Sequence, residues 1–211
     1  MMLQVNDRPV STRLTPEGFA RLAAVPRETL ERLRAYVGLL TAWNRRINLV
    51  GPNTIGDVWR RHIFDSAQLL PLLPESARVV VDVGSGAGLP GLVLSILGVP
   101  DVHLIESDQR KAAFLREAQR VTAAPVTIHA QRVERLAPIA ADVIVARAVA
   151  TVDNLLLMVD KFRGPHTICL FLKGKGIEEE LTHLPAALNM KARILPSRSD
   201  PTGRILRLEG P

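Results

Sequence analysis

Cysteine is almost absent from the sequence: Cys169 is the single one among 211 residues. One thiol excludes an intramolecular disulfide and a cysteine-rich zinc cage, so we assign no metal ligand and expect a protein of the reducing cytoplasm. Cys169 lies within the apolar run TICLFL, and we therefore interpret it as a buried, inert thiol.

Long apolar runs are absent too. The first residues lack the apolar core of a secretory signal, and no run approaches the ~18 residues that a membrane span requires, so we expect no membrane partner. Aromatic residues make up only 4% of the chain, which leaves few rings for stacking on bases.

Positive charge is in excess: 27 Lys+Arg stand against 21 Asp+Glu, and the pI is near 10.2. This balance favours a polyanionic partner such as a nucleic acid.

The first part of the chain carries helical patterns, and we predict an N-terminal helical extension over residues 1–75. Thr15 and Pro16 are typical of a helix start, with a capping hydroxyl followed by proline at the first helical position. Apolar residues at three- and four-residue steps predict an amphipathic helix from about Arg27 to Arg45. A second helical stretch is predicted from about Ile55 to Leu73.

From residue 76 onward, short apolar runs alternate with helical patterns. The alternation predicts an α/β fold over residues 76–211, with a doubly wound, mainly parallel sheet built on VVVDV, VHLIE, VTIHA, DVIVA and TICLFL. The last two runs, KARILP and RILRLE, leave no room for a helix between them, so we expect an antiparallel pair at the sheet edge. We expect the two regions to form one compact unit and the protein to be a monomer.

A glycine-rich turn follows the first strand in VVVDVGSGAGLPG, and such a turn presents backbone amides to a ligand. Read from Gly86, it matches the G-x-G-x-x-G pattern of dinucleotide-binding proteins, with Glu106 placed 20 residues later to bind a ribose. Read from Asp82, it puts a carboxylate at the strand end, which would repel a pyrophosphate but attract the sulfonium and ammonium groups of S-adenosylmethionine. Asp82 therefore favours S-adenosylmethionine, and an NAD(P)-dependent oxidoreductase stays open as an alternative.

Two common kinds of methyl acceptor are disfavoured by missing residues. Exocyclic amino groups are usually methylated beside an Asn/Asp-Pro-Pro-aromatic loop, where this chain has Ala146-Arg147-Ala148-Val149. A pyrimidine carbon requires a thiolate nucleophile, and Cys169 in an apolar strand is badly placed for that role. Guanine N7 has an available lone pair and can attack the methyl group in line without a general base. The absence of a catalytic motif is compatible with that acceptor.

Segments spread over about residues 36–180 occur in an order that resembles a known family. They are WNRRINLV from Trp43, RHIFDS from Arg61, DVGSGAGLPG from Asp82, ESDQRKAAFL from Glu106, QRVE from Gln131, ARAVA from Ala146 and LKGKG from Leu172. With them the chain resembles the bacterial guanine-N7 methyltransferases of small-subunit ribosomal RNA, also called the glucose-inhibited division protein B family. The resemblance implies a Rossmann-like methyltransferase, S-adenosylmethionine as cofactor, and small-subunit ribosomal RNA or the small ribosomal subunit as partner.

The resemblance also implies which residues form the site. To Asp82, chosen for its charge, it adds the cofactor residues Gly84, Gly86, Gly88, Leu89, Glu106, Val133, Glu134 and Arg147. The substrate or transition-state contacts that it implies are Arg132, Arg147 and Lys173. Arg147 interrupts an apolar stretch at the carboxyl end of a strand, where open α/β sheets bind ligands. We interpret His62 and Asp65, three residues apart on one helical face, as a packed cluster joining the two regions rather than a catalytic dyad.

Contacts to RNA are predicted outside the pocket. Arg45, Arg46, Arg60 and Arg61 are our candidates, because binding to phosphates requires charge and reach more than a fixed geometry. A guanine in folded RNA would have to be unstacked into the pocket. A catalytically silent RNA-binding or ribosome assembly factor is the remaining alternative.

Overall fold

The computed structural model describes residues 9–147, 149–182 and 190–210. Seven strands form one sheet: β1 (Val79–Val83), β2 (Asp101–Ile105), β3 (Val126–His129), β4 (Val143–Arg147), β5 (Ile168–Lys173), β6 (Lys191–Pro196) and β7 (Arg204–Glu209). Their order across the sheet is β3-β2-β1-β4-β5-β7-β6. The helices around the sheet are α1 (Pro16–Leu22), α2 (Arg27–Asn44), α3 (Asp65–Ala67), α4 (Gly91–Ile96), α5 (Gln109–Thr122), α6 (Val152–Val159) and α7 (Ile177–Thr182).

The pairing of the strands confirms the predicted α/β sheet. Strands β1 to β5 pair in parallel with one another, whereas β7 pairs antiparallel with both β5 and β6. The antiparallel pair at the carboxyl terminus is thus confirmed, with β6 at the outer edge. Because the carboxyl ends of β1, β2, β4 and β5 lie at one edge of the sheet, the segments that follow them are brought together.

The predicted helical stretch from Ile55 to Leu73 is confirmed, but it is not one regular helix. The structure divides this stretch into a 3₁₀ turn (Pro52–Asp57), a π-helical turn (Trp59–Phe64), α3, and a further 3₁₀ turn (Leu70–Leu72). In the π-helical turn the N–H of Asp65 donates to the carbonyl of Arg60, five residues back. Pro71 has no N–H and cannot take part in an α-helical ladder. The stretch is helical, but its turns change type at each of these points.

Two hydrophobic cores cover the two faces of the sheet. One contains Leu33, Tyr36 and Leu40 of α2 together with Phe114 of α5, so residues of the helical extension pack in the same core as the sheet. The other contains Leu155 of α6, with Cys169 and further residues of β4 and β5. Burial raises the pKa of the Cys169 thiol to about 12, which confirms a buried thiol.

Among the described residues, no helix combines the length and the apolar character that crossing a membrane requires.

Gly91 allows α4 to begin directly against β1. A Cβ atom at this position would lie 2.6 Å from Leu104 Cδ2 and 2.7 Å from both Cβ and Oδ2 of Asp82. These neighbours are buried, so that they cannot move aside into solvent. Gly38, in contrast, lies on the exposed side of α2, and a Cβ there would meet nothing within 4 Å.

We expect two glycine-to-alanine substitutions to change stability in opposite directions. Gly91→Ala overpacks the contact between α4 and β1 and should lower the free energy of unfolding by roughly 1–3 kcal/mol. Gly38→Ala removes a flexible residue from an exposed helix and should raise it by about 0.5–1 kcal/mol. Urea unfolding followed by circular dichroism measures both. Equal effects of the two substitutions would contradict the packing described for α4.

Candidate active site

A cavity of about 750 Å³ opens at the carboxyl edge of the sheet. One side of its wall is formed by the sheet: the glycine turn after β1, the residues after β2, Arg147 at the end of β4, and the end of β5. The other side is formed by residues between positions 49 and 65 of the helical extension and between positions 197 and 204 before β7. A smaller cavity of about 110 Å³ adjoins it and shares Gly84, Glu106, Ser107 and Val149 with it. The volume of the larger cavity lies within the usual range for small-molecule sites.

The glycine turn approaches the neighbouring chain so closely that side chains are excluded. Gly84 has φ +68°, and a Cβ there would lie 2.6 Å from Val149 Cγ2. Gly84, Gly86 and Leu89 line the larger cavity, as predicted for cofactor residues. Tyr36 of α2 supports the turn from beneath, because its buried hydroxyl donates to the carbonyl of Ala87 at 2.7 Å.

Glu106 lies where the two cavities meet, at the end of β2. Its Oε2 accepts from the N–H of Gly86 at 2.8 Å, and its Oε1 accepts from the N–H of Asp108 at 2.8 Å. These bonds fix the carboxylate beside the glycine turn. Each carboxylate oxygen can accept more than one hydrogen bond, so this group can also bind the hydroxyls of a ribose.

Asp82 and Gly88 were predicted as cofactor contacts, and neither lines the two cavities. Asp82 is 0% exposed and lies beneath the turn, where its Oδ2 accepts from the N–H of Gly91 at 2.9 Å. Burial raises the pKa of this carboxyl group to about 7. Gly88, with φ +83°, packs against Leu92 rather than lining either cavity. Both residues shape the turn from the side away from the two cavities.

Arg147 is the centre of a buried cluster. Its Nη1 lies 2.8 Å from Nδ1 of His62 and 3.7 Å from Oδ2 of Asp65. Burial, together with the charges of Arg147 and Arg61, lowers the pKa of His62 to about 3, so the imidazole is neutral at physiological pH. The cluster joins the helical extension to the end of β4, as predicted for a packed cluster that includes His62 and Asp65.

Of the other two predicted substrate contacts, Lys173 already has partners and Arg132 lies apart from Arg147. Lys173 lines the larger cavity, but its side chain is only 10% exposed and its Nζ lies 2.8 Å from Oε2 of Glu180 and from the carbonyl of Ala150. Arg132 lines the smaller cavity together with Val133 and Glu134. The structure therefore brings Arg147 and Lys173 to one cavity and places Arg132 in the next.

The predicted RNA contacts differ in exposure. Arg45 and Arg46 are exposed just after α2. Arg61 lines the larger cavity and pairs with Asp200. Arg60 is only 16% exposed, since its guanidinium pairs with Asp57 and donates to the carbonyl of Ser199 at 2.6 Å. This inward position disagrees with the prediction that Arg60 contacts phosphates.

Sequence reasoning missed the residues that build the wall opposite the sheet. Oδ1 of Asn44 accepts from the N–H groups of Leu49 and Val50 at 2.9 and 3.0 Å, which folds the following loop towards the cavity. Gln68 accepts from the N–H of Arg198 at 2.7 Å, and Ser199 donates to Asp65, so that the segment before β7 is fixed to α3. The motifs around Trp43 and Arg61 indicated that the loop after Asn44 matters. Nothing in the sequence pointed to the segment before β7.

The fold and this site define a class of protein, the Rossmann-like methyltransferases. A solved structure of magnesium protoporphyrin IX methyltransferase from Synechocystis PCC 6803 with bound SAM has the same fold, with a TM-score of 0.60 at 16% identity. The similarity covers 90% of this chain and 99% of that one. The similarity shows that this chain has the fold of a methyltransferase.

The chain belongs to the rRNA small subunit methyltransferase G family, whose model matches residues 29–198. It is 56% identical to Ribosomal RNA small subunit methyltransferase G of Rhodospirillum centenum, over 96% of this chain and 94% of the relative. The relative of the same name in Paramagnetospirillum magneticum is 53% identical over 92% of this chain and 94% of its own length. Membership confirms the resemblance found in the sequence and the prediction of a methyltransferase.

The buried carboxyl of Asp82 predicts a measurable pH dependence of stability. Its folded pKa of about 7 exceeds the ordinary value of 3.8, so the folded protein holds this proton more tightly and loses stability as pH rises through that window. Asp82→Asn imitates the protonated form. We therefore subtract the free energy of unfolding of wild type from that of the variant. This difference should rise by on the order of 2–4 kcal/mol between about pH 4 and 7, and stay constant at higher pH.

Urea unfolding of both proteins at several pH values measures this difference. The lowered pKa of His62 acts in the opposite direction, since it reduces stability as pH falls below its ordinary value of 6.5, but it is present in both proteins and cancels. A difference that is independent of pH would contradict a buried carboxyl with a raised pKa at position 82.

Proposed function

We propose that this chain transfers a methyl group from S-adenosylmethionine to N7 of a guanine in small-subunit ribosomal RNA. One observation carries the proposal: a single cavity has Glu106 beside the glycine turn on one wall and Arg147 on another, and Nε and Nη2 of Arg147 make no hydrogen bond to the part of the chain that the structure describes. The relatives at 56% and 53% identity are named for the methylation of this RNA. The partner is the RNA itself or the small ribosomal subunit.

The residues on one side of the cavity fit S-adenosylmethionine. Gly84 and Gly86 leave space beside the turn, and the carboxylate of Glu106 is placed to accept hydrogen bonds from ribose hydroxyls. Val133 and Glu134 line the smaller cavity, which is suited to the adenine ring. When bound, this cofactor supplies a methyl group on a positively charged sulfur. Asp82 lies beneath the turn and supports the site by shaping it.

The residues on the other side suit a guanine that attacks through N7. The N7 lone pair is available without removal of a proton, so the site has to orient the base rather than deprotonate it. Arginine often binds guanine through O6 and N7 together, but here N7 must face the methyl group. We therefore propose that Arg147 donates to O6 or to a phosphate.

The cations around the cavity extend the proposed contact to the RNA backbone. Arg45 and Arg46 are exposed after α2, and Arg61 stands on the cavity wall beside Asp200. Arg132 lines the smaller cavity and stays a predicted substrate contact. Lys173 could contact the substrate only by exchanging Glu180 for a phosphate, because its ammonium group is held by that carboxylate.

Methyl transfer tests the proposal directly. Purified protein, labelled S-adenosylmethionine and small-subunit RNA or intact subunits should yield N7-methylguanine, located by mass spectrometry of nuclease digests. Replacing Arg147 by methionine should lower kcat/KM for the RNA by roughly 100-fold, the size expected on losing an oriented donor. Arg193→Met is the matched control, because Arg193 is exposed on β6 and lines neither cavity.

Three outcomes would overturn this function. A methyl group found on another atom would exclude N7 as the acceptor. Binding of NAD without a calorimetric response to S-adenosylmethionine would favour the oxidoreductase alternative. RNA binding without turnover on either substrate would favour a silent assembly factor.

A further inference from the structure

We infer that His62 is a positioning residue for methyl transfer, which acts by accepting a hydrogen bond from the guanidinium of Arg147. The inference rests on the proposed function and deepens it. His62 is 5% exposed, lies in the π-helical turn of the helical extension, and borders the same cavity as Arg147. It reaches Arg147 across 85 positions of sequence, so no local motif relates the two residues.

The hydrogen bonds of His62 can run in only one direction. A guanidinium has donors and no acceptor, so Nδ1 of His62 must accept from Nη1 of Arg147, 2.8 Å away. The proton of the neutral ring is therefore on Nε2, where it is donated to Oγ1 of Thr54 at 2.7 Å. Thr54 donates its own hydroxyl proton to the carbonyl of Gly51 at 2.7 Å. The loop before the π-helical turn thereby fixes the tautomer of His62.

This arrangement holds one edge of the guanidinium and leaves the other edge available. Nη1 of Arg147 is directed to His62, with Asp65 and the carbonyl of Arg61 next to it. Within the described ranges, Nε and Nη2 of Arg147 make no hydrogen bond to the protein. The side chain is 20% exposed and borders the cavity. Nε and Nη2 together carry three N–H donors in the fixed plane of the guanidinium, which can thus be offered to a ligand in one orientation.

A neutral acceptor suits this task better than a second carboxylate would. Asp65 already supplies a negative charge near Arg147, and another would cancel the positive charge that attracts O6 or a phosphate. The imidazole fixes the direction of Nη1 and adds no charge. His62 therefore orients Arg147 while leaving it cationic.

Two substitutions of nearly equal shape test this role. Asn places a carbonyl oxygen close to where Nδ1 of the histidine lies, whereas Leu fills the same space without an acceptor. We expect His62→Leu to lower kcat for methylation of the RNA by roughly 10- to 100-fold, the effect of losing a hydrogen bond to a charged group. We expect His62→Asn to recover most of that loss, with the dissociation constant for S-adenosylmethionine within about 2-fold of wild type in both variants.

A double-mutant cycle separates positioning from general support of the fold. If His62 acts through Arg147, His62→Leu should have little further effect on kcat in a protein that already carries Arg147→Met. Additive losses, or equal losses in the Asn and Leu variants accompanied by equal falls in melting temperature, would overturn the inference.

Nitrogen NMR of the imidazole keeps the inference testable if a variant fails to fold. Wild type should show an unprotonated Nδ1 and a protonated Nε2, and Thr54→Val should perturb the Nε2 resonance. A protonated Nδ1 in wild type would overturn the inference whether or not the protein methylates RNA. Absence of methyl transfer by the wild type, with the expected tautomer present, would instead refute the proposed function.

Discussion

The partly buried guanidinium of Arg147 is the constraint on which the site depends. A charge at the end of β4, mostly removed from water, is costly unless it is paired and hydrogen-bonded. Its partners, His62 and Asp65, come from the helical extension. The sheet therefore cannot present this arginine to a ligand unless the extension is in place, and the two parts of the chain build the cavity together.

The same dependence recurs around the rest of the cavity. Tyr36 supports the glycine turn from α2, and Asn44 folds the loop that forms one wall. Asp65 binds Arg147 on one side and accepts from Ser199 on the other, so that it fixes the segment before β7 at the cavity. Burial raises the pKa of Asp65, while Arg147 and Ser199 act in the opposite direction. The extension is thus part of the active site rather than an addition to a complete domain.

Sequence patterns predicted what depends on local order. Strand runs, the glycine turn and Glu106 follow from neighbouring residues, and each was found within about one position of its expected place. The buried position of the Asp82 side chain beneath the turn could not be predicted, because the end of a strand indicates an edge of the sheet but not a face. Alternation along β1 puts Asp82 on the same face as Val80, which packs in the core shared with α4. Arg60 is turned inward by the carbonyl of Ser199, and Lys173 is held by the carbonyl of Ala150. Both contacts are set by tertiary packing, on which local patterns carry no information.

The central claim is that the extension orients Arg147 towards a guanine whose N7 faces the methyl donor. A crystal or cryo-electron microscopy structure of the protein bound to S-adenosylhomocysteine and its RNA substrate tests this most directly. The account predicts the target guanine unstacked in the larger cavity, His62 on Nη1 of Arg147, and Nη2 or Nε of Arg147 bound to O6 or a phosphate. A guanine held elsewhere, or with N7 bound by Arg147, would contradict it.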